Sequence, residues 1–175
     1  GQHGFARDME FEEIGKHSYV LKSNEETLKK YPYNFELYIS YEVHKNVLTT
    51  KYKVKNTDNK EICFGLGGHP AFKCDYSSGL YRIEFEDIEE NLEFYNLKDG
   101  LVDPHKLNNK KFMRENRIFL DKDTFKNDAI IVKNMKSKSL FLKTETKAIL
   151  KFTFEGFKYL GFWSKPGAKF VCIEP

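Results

Sequence analysis

The sequence has few arginines, cysteines and prolines, and its apolar runs are only a few residues long. Without an apolar stretch of about 20 residues, we expect no membrane-spanning helix. The first residues, Gly1 to Phe5, lack the basic and apolar regions of a signal peptide. Five prolines and 11 glycines in 175 residues exclude a collagen-like or proline-rich chain.

Arginine is scarce among the basic residues. Only four of the 29 Lys and Arg residues are Arg, the lysines are interleaved with 26 acids, and the net charge is +3. Arginine is the side chain that best reads phosphate and guanine in two-pronged contacts. We therefore expect a solvated charged surface, with neither a nucleic acid nor a membrane as partner.

The three cysteines, Cys63, Cys74 and Cys172, are an odd number at irregular spacing. A disulfide framework normally has an even number, and the chain has no C-x-x-C or H-x-x-x-H pair that would indicate a zinc site. The sequence therefore predicts no bound metal and reduced, partly buried thiols in a cytoplasmic protein.

Aromatic residues are abundant, at 15% of the chain, and hydrophobic residues make up 40%, which indicates an ordered core. Apolar residues alternate with polar ones from Phe35 to Val43, the pattern of a half-buried strand. A turn at residues 44–46 leads to a second strand, Val47 to Val54. Further strands are predicted at 81–85, 92–95, 129–132, 140–143, 148–154, 159–162 and 170–173. Many short strands between polar turns are typical of an all-β antiparallel sandwich or barrel.

Helical signals are few. Residues 23–26 resemble an N-cap followed by first-turn acids and predict a short helix through about Lys30, stopped before Pro32. The stretch 102–112 has the pattern of one further helical turn. No repeat or linker is visible, so we expect a single domain over residues 1–175.

Polar groups that are suited to chemistry concentrate in three places, the first of which is residues 3–8. If this segment is extended, His3 and Arg7 lie on one face and together suit a hydroxyl-rich or anionic ligand. The alternative is an N-terminal segment in which His3 is incidental and Arg7 pairs with Asp8. Spacing alone favours that alternative.

The second place is the glycine-rich segment 64–72, which contains His69. Its glycines permit a close backbone approach, and Pro70 holds His69 extended, so the imidazole is expected at the end of a strand. Histidine titrates near neutral pH and suits proton transfer. A hydrogen-bonded histidine in a turn explains the same pattern equally well.

The third place is the end of the strand at 170–173. Glu174 follows an apolar run, where desolvation is expected to raise a carboxyl pKa and make the group an effective general base. The alternative is that the strand simply emerges into solvent. Nearby Trp163, the only tryptophan, suits either core packing or the apolar face of a sugar.

These motifs resemble signature segments of the aldose 1-epimerases, or galactose mutarotase-like proteins, and most of all the family's LacX-type branch. The resemblance is carried in order by His-Gly-Phe-Ala-Arg-Asp at 3–8, Gly-Gly-His-Pro-Ala-Phe at 67–72 and Phe-Val-Cys-Ile-Glu-Pro at 170–175. Segments 125–131 and 163–167 share it. The resemblance implies an antiparallel β-sandwich of the galactose mutarotase-like type. It also implies the central portion of a longer chain, without the family's N- and C-terminal strands.

The resemblance further implies interconversion of the α and β anomers of a hexose without a cofactor. Glu174 matches the general base and His69 the general acid. His3 and Arg7 match groups that hold the sugar, and Asp128 and Trp163 are further candidates for binding it. A hexose or hexose phosphate is the expected small-molecule partner. Sheet edges exposed by the missing strands make dimerisation possible.

Two other functions remain open at this point. One is a non-catalytic carbohydrate-binding or sensing module on the same scaffold. The other is a β-sandwich interaction domain without a sugar ligand.

Overall fold

A computed structural model describes residues 3–103, 105 and 113–175. Within these residues nearly all regular structure is antiparallel β-strand, which confirms the predicted all-β class. The strands group into two units, residues 1–66 and 67–175. The single domain expected over residues 1–175 stays a prediction. The described part of the chain has no helix that is long and apolar enough to cross a membrane.

The first unit is a four-stranded antiparallel sheet in chain order. Its strands are β1 (Glu12–Gly15), β2 (Ser18–Lys22), β3 (Phe35–His44) and β4 (Val47–Asn56). A row across the sheet brings Leu21, Leu37 and Val54 together on one face, where they join the unit's small apolar core. The alternation that predicted β3 and β4 therefore marks a face that is buried at one end of the hairpin.

A short helix, α1 (Glu25–Lys30), connects β2 to β3 as predicted. The Asn24 side chain accepts hydrogen bonds from the backbone N–H groups of Glu26 and Thr27, and the Thr27 hydroxyl accepts from the Asn24 N–H. This reciprocal capping satisfies donors that the first helical turn leaves open. The polar N-cap signal in the sequence thus has a direct structural cause.

The second unit is a β-sandwich of two five-stranded antiparallel sheets, with a small two-stranded ribbon. One sheet contains, in spatial order, β10 (Met113–Arg114), β11 (Arg117–Leu120), β6 (Tyr81–Phe85), β13 (Ser139–Lys143) and β14 (Ala148–Thr153). The other contains β5 (Ala71–Lys73), β16 (Phe170–Glu174), β15 (Tyr159–Trp163), β12 (Ile130–Lys133) and β7 (Glu93–Tyr95). The ribbon is β8 (Leu97–Lys98) and β9 (Leu101–Val102).

The core of the second unit includes alternate residues of both sheets. Ile83 and Leu142 come from the first sheet, Phe162 and Ile173 from the second, and all four are 0% exposed. Because side chains alternate along a strand, the residues between them lie on the outer faces. Burial of one face leaves the other face of each sheet available to carry polar groups.

The outer face of the first of these sheets carries an ionic cluster around Glu84. Lys143 Nζ lies 2.7 Å from Glu84 Oε1, while Arg82 Nε and Arg117 Nε each lie 3.2 Å from Glu84 Oε2. The hydrogen bond from Lys143 is the main cause that lowers the pKa of the Glu84 carboxyl below its usual 4.5. This cluster ties three neighbouring strands together.

Most predicted strands lie within a residue or two of their expected limits. The strands at 12–15, 18–22, 71–73 and 117–120 were not predicted, nor were the two-residue strands at 97–98, 101–102 and 113–114. The helical turn expected over 102–112 falls largely outside the described residues. Dimerisation through sheet edges stays a prediction.

Candidate functional site

Glu174 is the last residue of β16, on the outer face of its sheet. Val171 and Ile173 point into the sandwich core, so Cys172 and Glu174 occupy the opposite face. The Glu174 side chain is 20% exposed, which leaves the carboxylate neither immersed in solvent nor sealed in the core. Val171 and Ile173 are therefore the core-facing half of an alternating strand, and Cys172 on the outer face is buried as well.

The segment before β5 runs antiparallel beside the end of β16. The N–H of Ile173 donates to the carbonyl of Pro70 at 3.2 Å, and the N–H of Gly68 donates to the main-chain oxygen of Pro175 at 2.9 Å. Both bonds keep the register in which Cys172 faces Ala71. The ladder between the two chains thus continues back beyond the start of β5.

In this register His69 stands directly opposite Glu174. The hydrogen bonds on either side make it a non-hydrogen-bonded pair, the antiparallel position in which opposed side chains lie closest. Pro70 and Pro175 lack an N–H, so each flanking pair has one main-chain hydrogen bond instead of two. The imidazole and the carboxylate consequently project side by side from one face. The sequence predicted His69 at the end of a strand. In the structure it lies just before the start of β5.

The two side chains are in direct contact. His69 Nδ1 lies 2.9 Å from Glu174 Oε1, and the His69 side chain is 38% exposed. This distance is that of a strong, charge-assisted hydrogen bond when the imidazole is protonated. A donor and an acceptor of protons therefore share one partly open position.

Trp163 flanks this pair on the neighbouring strand, where it stands opposite Cys172. Its ring centroid lies 6.3 Å from that of His69 and 6.0 Å from that of Phe170. The indole is partly exposed, so it offers a flat apolar surface beside the polar pair. Core packing alone does not describe its position.

Gly161 lies opposite Glu174 on the other side and was not recognised in the sequence. A Cβ at this position would come 3.4 Å from Ile131 Cδ1 and 3.5 Å from Glu174 Cβ. The row continues through Ile131 to Tyr95, whose hydroxyl donates to Glu93 at 2.6 Å. A side chain at residue 161 would therefore stand between Ile131 and Glu174, directly beside the carboxylate. The alternation of 159–163, with Gly161 and Trp163 on one face, is the sequence signal that indicates this position.

Two cysteines of this unit are buried thiols. Burial, together with the nearby Glu174 carboxylate, raises the pKa of Cys172 from 9.0 to about 11, and burial raises that of Cys74 to about 12. The influence of Glu174 on Cys172 agrees with their shared face. Cys63, in the first unit, is exposed, and all three cysteines are free thiols, as predicted.

Asp128 occupies a different setting from the His69–Glu174 pair. It is exposed, has a left-handed backbone with φ of 76°, and its carboxylate accepts a hydrogen bond from the Ala129 N–H at 2.8 Å. It borders a small depression with Asn96 and Asp123. The carboxylate thus caps its own turn, and its part in sugar binding stays a prediction.

His3 and Arg7 belong to the first unit and are both exposed. His3 and Gly4 have positive φ angles of 67° and 63°, and Arg7 lies in a 3₁₀ turn, Ala6–Asp8. The extended segment considered for these residues is therefore wrong, because a left-handed turn and a helical turn replace it. Arg7 Nε lies 3.7 Å from Asp8 Oδ1, the pairing expected from the alternative. Roles for His3 and Arg7 in binding stay predictions.

The fold and this site define a β-sandwich protein with an imidazole–carboxylate pair and an indole on the outer face of one sheet. The family model for aldose 1-epimerase matches residues 1–175. The chain therefore belongs to the aldose 1-epimerase family, as the motifs indicated.

Curated relatives agree with this assignment. The chain is 32% identical to the plasmid-borne and the chromosomal LacX proteins of Lactococcus lactis subsp. lactis, over 188 aligned positions and 99% of its length. The alignment covers 62% of each relative. The chain thus spans less than two thirds of the length of the curated relatives it matches.

Solved structures show the same fold. A galactose mutarotase-like protein from Lactobacillus casei matches the whole chain with a TM-score of 0.83 and 28% identity, over 63% of its own length. A galactose mutarotase related enzyme from Lactobacillus acidophilus matches with a TM-score of 0.80 and 29% identity, over 61% of its length. The galactose mutarotase-like sandwich predicted from the motifs is confirmed.

Proposed function

We propose that this chain carries the proton-transfer centre of a hexose mutarotase, with Glu174 as general base and His69 as general acid. The observation that carries the proposal is the contact of 2.9 Å between His69 Nδ1 and Glu174 Oε1 on a partly open face. Membership of the aldose 1-epimerase family supports the same reaction class.

The reaction needs an acid and a base close together. In a cyclic hexose the C1 hydroxyl and the ring oxygen are bonded to the same carbon, so the two proton transfers occur within one small volume. His69 and Glu174, which stand opposite each other in the antiparallel ladder, supply an acid and a base at that spacing. Each is expected to contribute a factor of about 10²–10⁴ to the rate.

The proton transfers balance over one catalytic cycle. Carboxylate Glu174 takes the proton of the C1 hydroxyl, the C1–O bond to the ring opens as the C1 carbonyl forms, and imidazolium His69 protonates the ring oxygen. The C1–C2 bond then rotates. Neutral His69 takes back the proton from the open-chain hydroxyl as its oxygen attacks the other face of C1, and Glu174 returns its proton to the new C1 hydroxyl. No net proton, electron or cofactor is consumed.

The surroundings of the pair suit a sugar. Trp163 offers an apolar plane on which the C–H face of a pyranose stacks, and glycine at position 161 places no side chain beside the carboxylate. His3, Arg7 and Asp128 are proposed as further binding groups on the family resemblance alone. A neutral hexose and a hexose phosphate both fit this proposal.

Polarimetry on freshly dissolved α-glucose or α-galactose tests the function. The protein as its gene encodes it is expected to accelerate the approach to anomeric equilibrium, and Glu174→Gln or His69→Asn to slow it about 10²-fold or more. His44→Asn and Glu155→Gln, at exposed positions, are matched controls expected to keep the wild-type rate. Wild-type rates in both site variants contradict the proposal. Quenching of Trp163 fluorescence by hexose without any acceleration supports the non-catalytic binding module instead.

A further inference from the structure

Gly67 meets the main chain that follows Glu174. A Cβ built at this position lies 3.0 Å from the main-chain oxygen of Pro175 and 4.0 Å from its carbon. A side-chain carbon and a backbone oxygen essentially never pack more closely, so any residue other than glycine forces one of the two chains to move. Gly67 thus lies against the residue after Glu174 with no free space for a side chain.

Pro175 transmits such a movement to Glu174. The ring of a proline fixes φ near −65°, so a push on its main-chain oxygen is not absorbed by rotation about N–Cα. A proline also restricts the residue before it to extended backbone, which holds Glu174 in strand geometry. Rotation about Cα–C, the other way for this oxygen to move, would break the hydrogen bond that it accepts from the Gly68 N–H, so the displacement passes through the Glu174–Pro175 peptide to the carboxylate.

The adjacent hydrogen bond keeps the two chains from separating freely. Gly68 N–H donates to the same Pro175 oxygen at 2.9 Å. The close approach of Gly67 to the Pro175 oxygen and this hydrogen bond together set the distance between the two segments next to the His69–Glu174 contact. A side chain at residue 67 opposes the bond that residue 68 makes.

We propose that Gly67 is a positioning residue, which sets the distance between Glu174 and His69 through Pro175. The functional consequence rests on the proposed mutarotase reaction, while the positioning itself does not. Gly67 touches neither of the two reacting groups in this scheme. Its effect is carried by the backbone.

The expected size follows from the geometry. A Cβ at 3.0 Å requires a shift of a few tenths of an ångström, and a misplacement of about 1 Å at a reacting group can cost about 10²-fold in rate. Gly67→Ala is therefore expected to lower kcat about threefold to tenfold, with KM changed less than about twofold. It should also alter the pH profile of kcat, which a merely structural loss leaves unchanged.

Gly65→Ala is the matched control, two residues earlier in the same glycine-rich segment. A Cβ at Gly65 meets no atom within 4 Å among the described residues, and its backbone has no positive φ. Its kcat and pH profile are expected to match the wild type. Equal effects of the two substitutions contradict the proposal.

The ¹⁵N NMR signals of the His69 ring nitrogens give a readout that does not depend on activity. Gly67→Ala is expected to shift the Nδ1 signal away from its hydrogen-bonded value, and Gly65→Ala to leave it in place. Unchanged signals in Gly67→Ala overturn the positioning role. If the wild type shows no mutarotation while the Nδ1 signal still responds, the proposed function fails and the positioning role stands.

A second variant keeps the test decisive if Gly67→Ala folds poorly. Pro175→Ala frees φ at residue 175, so the oxygen can move without pulling Glu174. The double variant Gly67→Ala/Pro175→Ala is expected to regain most of the lost rate and the Nδ1 signal. No recovery in a folded double variant, as judged by thermal unfolding, contradicts transmission through Pro175.

Discussion

Substitution at Gly161 is expected to make the protein more stable and at the same time a weaker sugar binder. A Cβ at this position comes 3.4 Å from Ile131 Cδ1 and 3.5 Å from Glu174 Cβ, so alanine fits between them in near-ordinary contact. The added methyl group projects from the outer face beside the Glu174 side chain, where the proposed sugar would lie. The methyl group is therefore expected to raise the stability of the fold and to lower the affinity for the sugar.

The magnitudes follow from two separate terms. Glycine within a strand is roughly 0.5–1 kcal/mol less favourable than alanine, so Gly161→Ala should raise the melting temperature by about 1–4 °C. In the complex, a methyl group forced into space that the sugar occupies costs about 1–3 kcal/mol of binding free energy. At 1.4 kcal/mol per factor of ten, this is a rise in KM of about fivefold to a hundredfold. The larger Gly161→Val should raise KM further.

Calorimetric unfolding and polarimetry at several hexose concentrations measure the two effects on the same samples. Gly15→Ala in β1 is the control, because a Cβ there meets no atom within 4 Å in the part of the chain that is described. It should leave KM unchanged. An unchanged KM in both Gly161 variants would refute a sugar position over Gly161.

Two further predictions concern the ionisable groups of the structure. Glu84→Gln is expected to lower the free energy of unfolding by about 1–2 kcal/mol at pH 7, because three cations lose their shared carboxylate. The cations lower the pKa of folded Glu84 below its usual 4.5, so this stabilisation is complete above about pH 4.5 and is lost as the pH falls through the lowered value. Urea titrations of wild type and variant should therefore converge in acid. Iodoacetamide at pH 8 is expected to label Cys63 alone in the folded protein, because Cys63 is the exposed thiol. Cys172 is only 2% exposed, and with a pKa of about 11 its thiol is ionised to only about one part in a thousand at this pH.

Each of these predictions has its own control. Glu145→Gln, at an exposed position in the turn between β13 and β14, should leave stability unchanged at every pH. A difference between Glu84→Gln and wild type that persists at pH 2 would argue against the electrostatic origin. Cys63→Ser should abolish labelling of the folded protein, and labelling of Cys172 before unfolding would contradict its burial.

The alternation of apolar and polar residues was sufficient to predict the strands that have one buried and one solvated face. Tyr81–Phe85 matches its prediction because Ile83 and Phe85 face the core while Arg82 and Glu84 carry charge outward. Glu12–Gly15 was not predicted because all four of its residues are exposed, and such an edge strand has no apolar face to mark it. Its existence depends on pairing with β2.

The individual site motifs were visible in the sequence, but their contact was not. His69 and Glu174 are 105 positions apart, and only the antiparallel register of β5 and β16 sets them face to face. A shift of that register by one residue would place His69 and Glu174 on opposite faces of the sheet. Local spacing carries no information on such a pairing.

Backbone handedness explains why residues 3–8 are not extended. His3 adopts a positive φ, and a non-glycine residue gives little local warning of this conformation. The extended conformation that the sequence left open for residues 3–8 is therefore replaced by turns. The polar pairing of Arg7 with Asp8 needed only sequence proximity, and it was foreseen.

The most direct test of the central claim is a double-mutant cycle on His69 and Glu174, measured by NMR exchange between the C1 protons of α- and β-hexose at equilibrium. If the two residues act as one proton-transfer unit, His69→Asn/Glu174→Gln will be no slower than the slower single variant, since either loss stops the same cycle. Losses that multiply in the double variant, or exchange at the wild-type rate in either single variant, would contradict the claim.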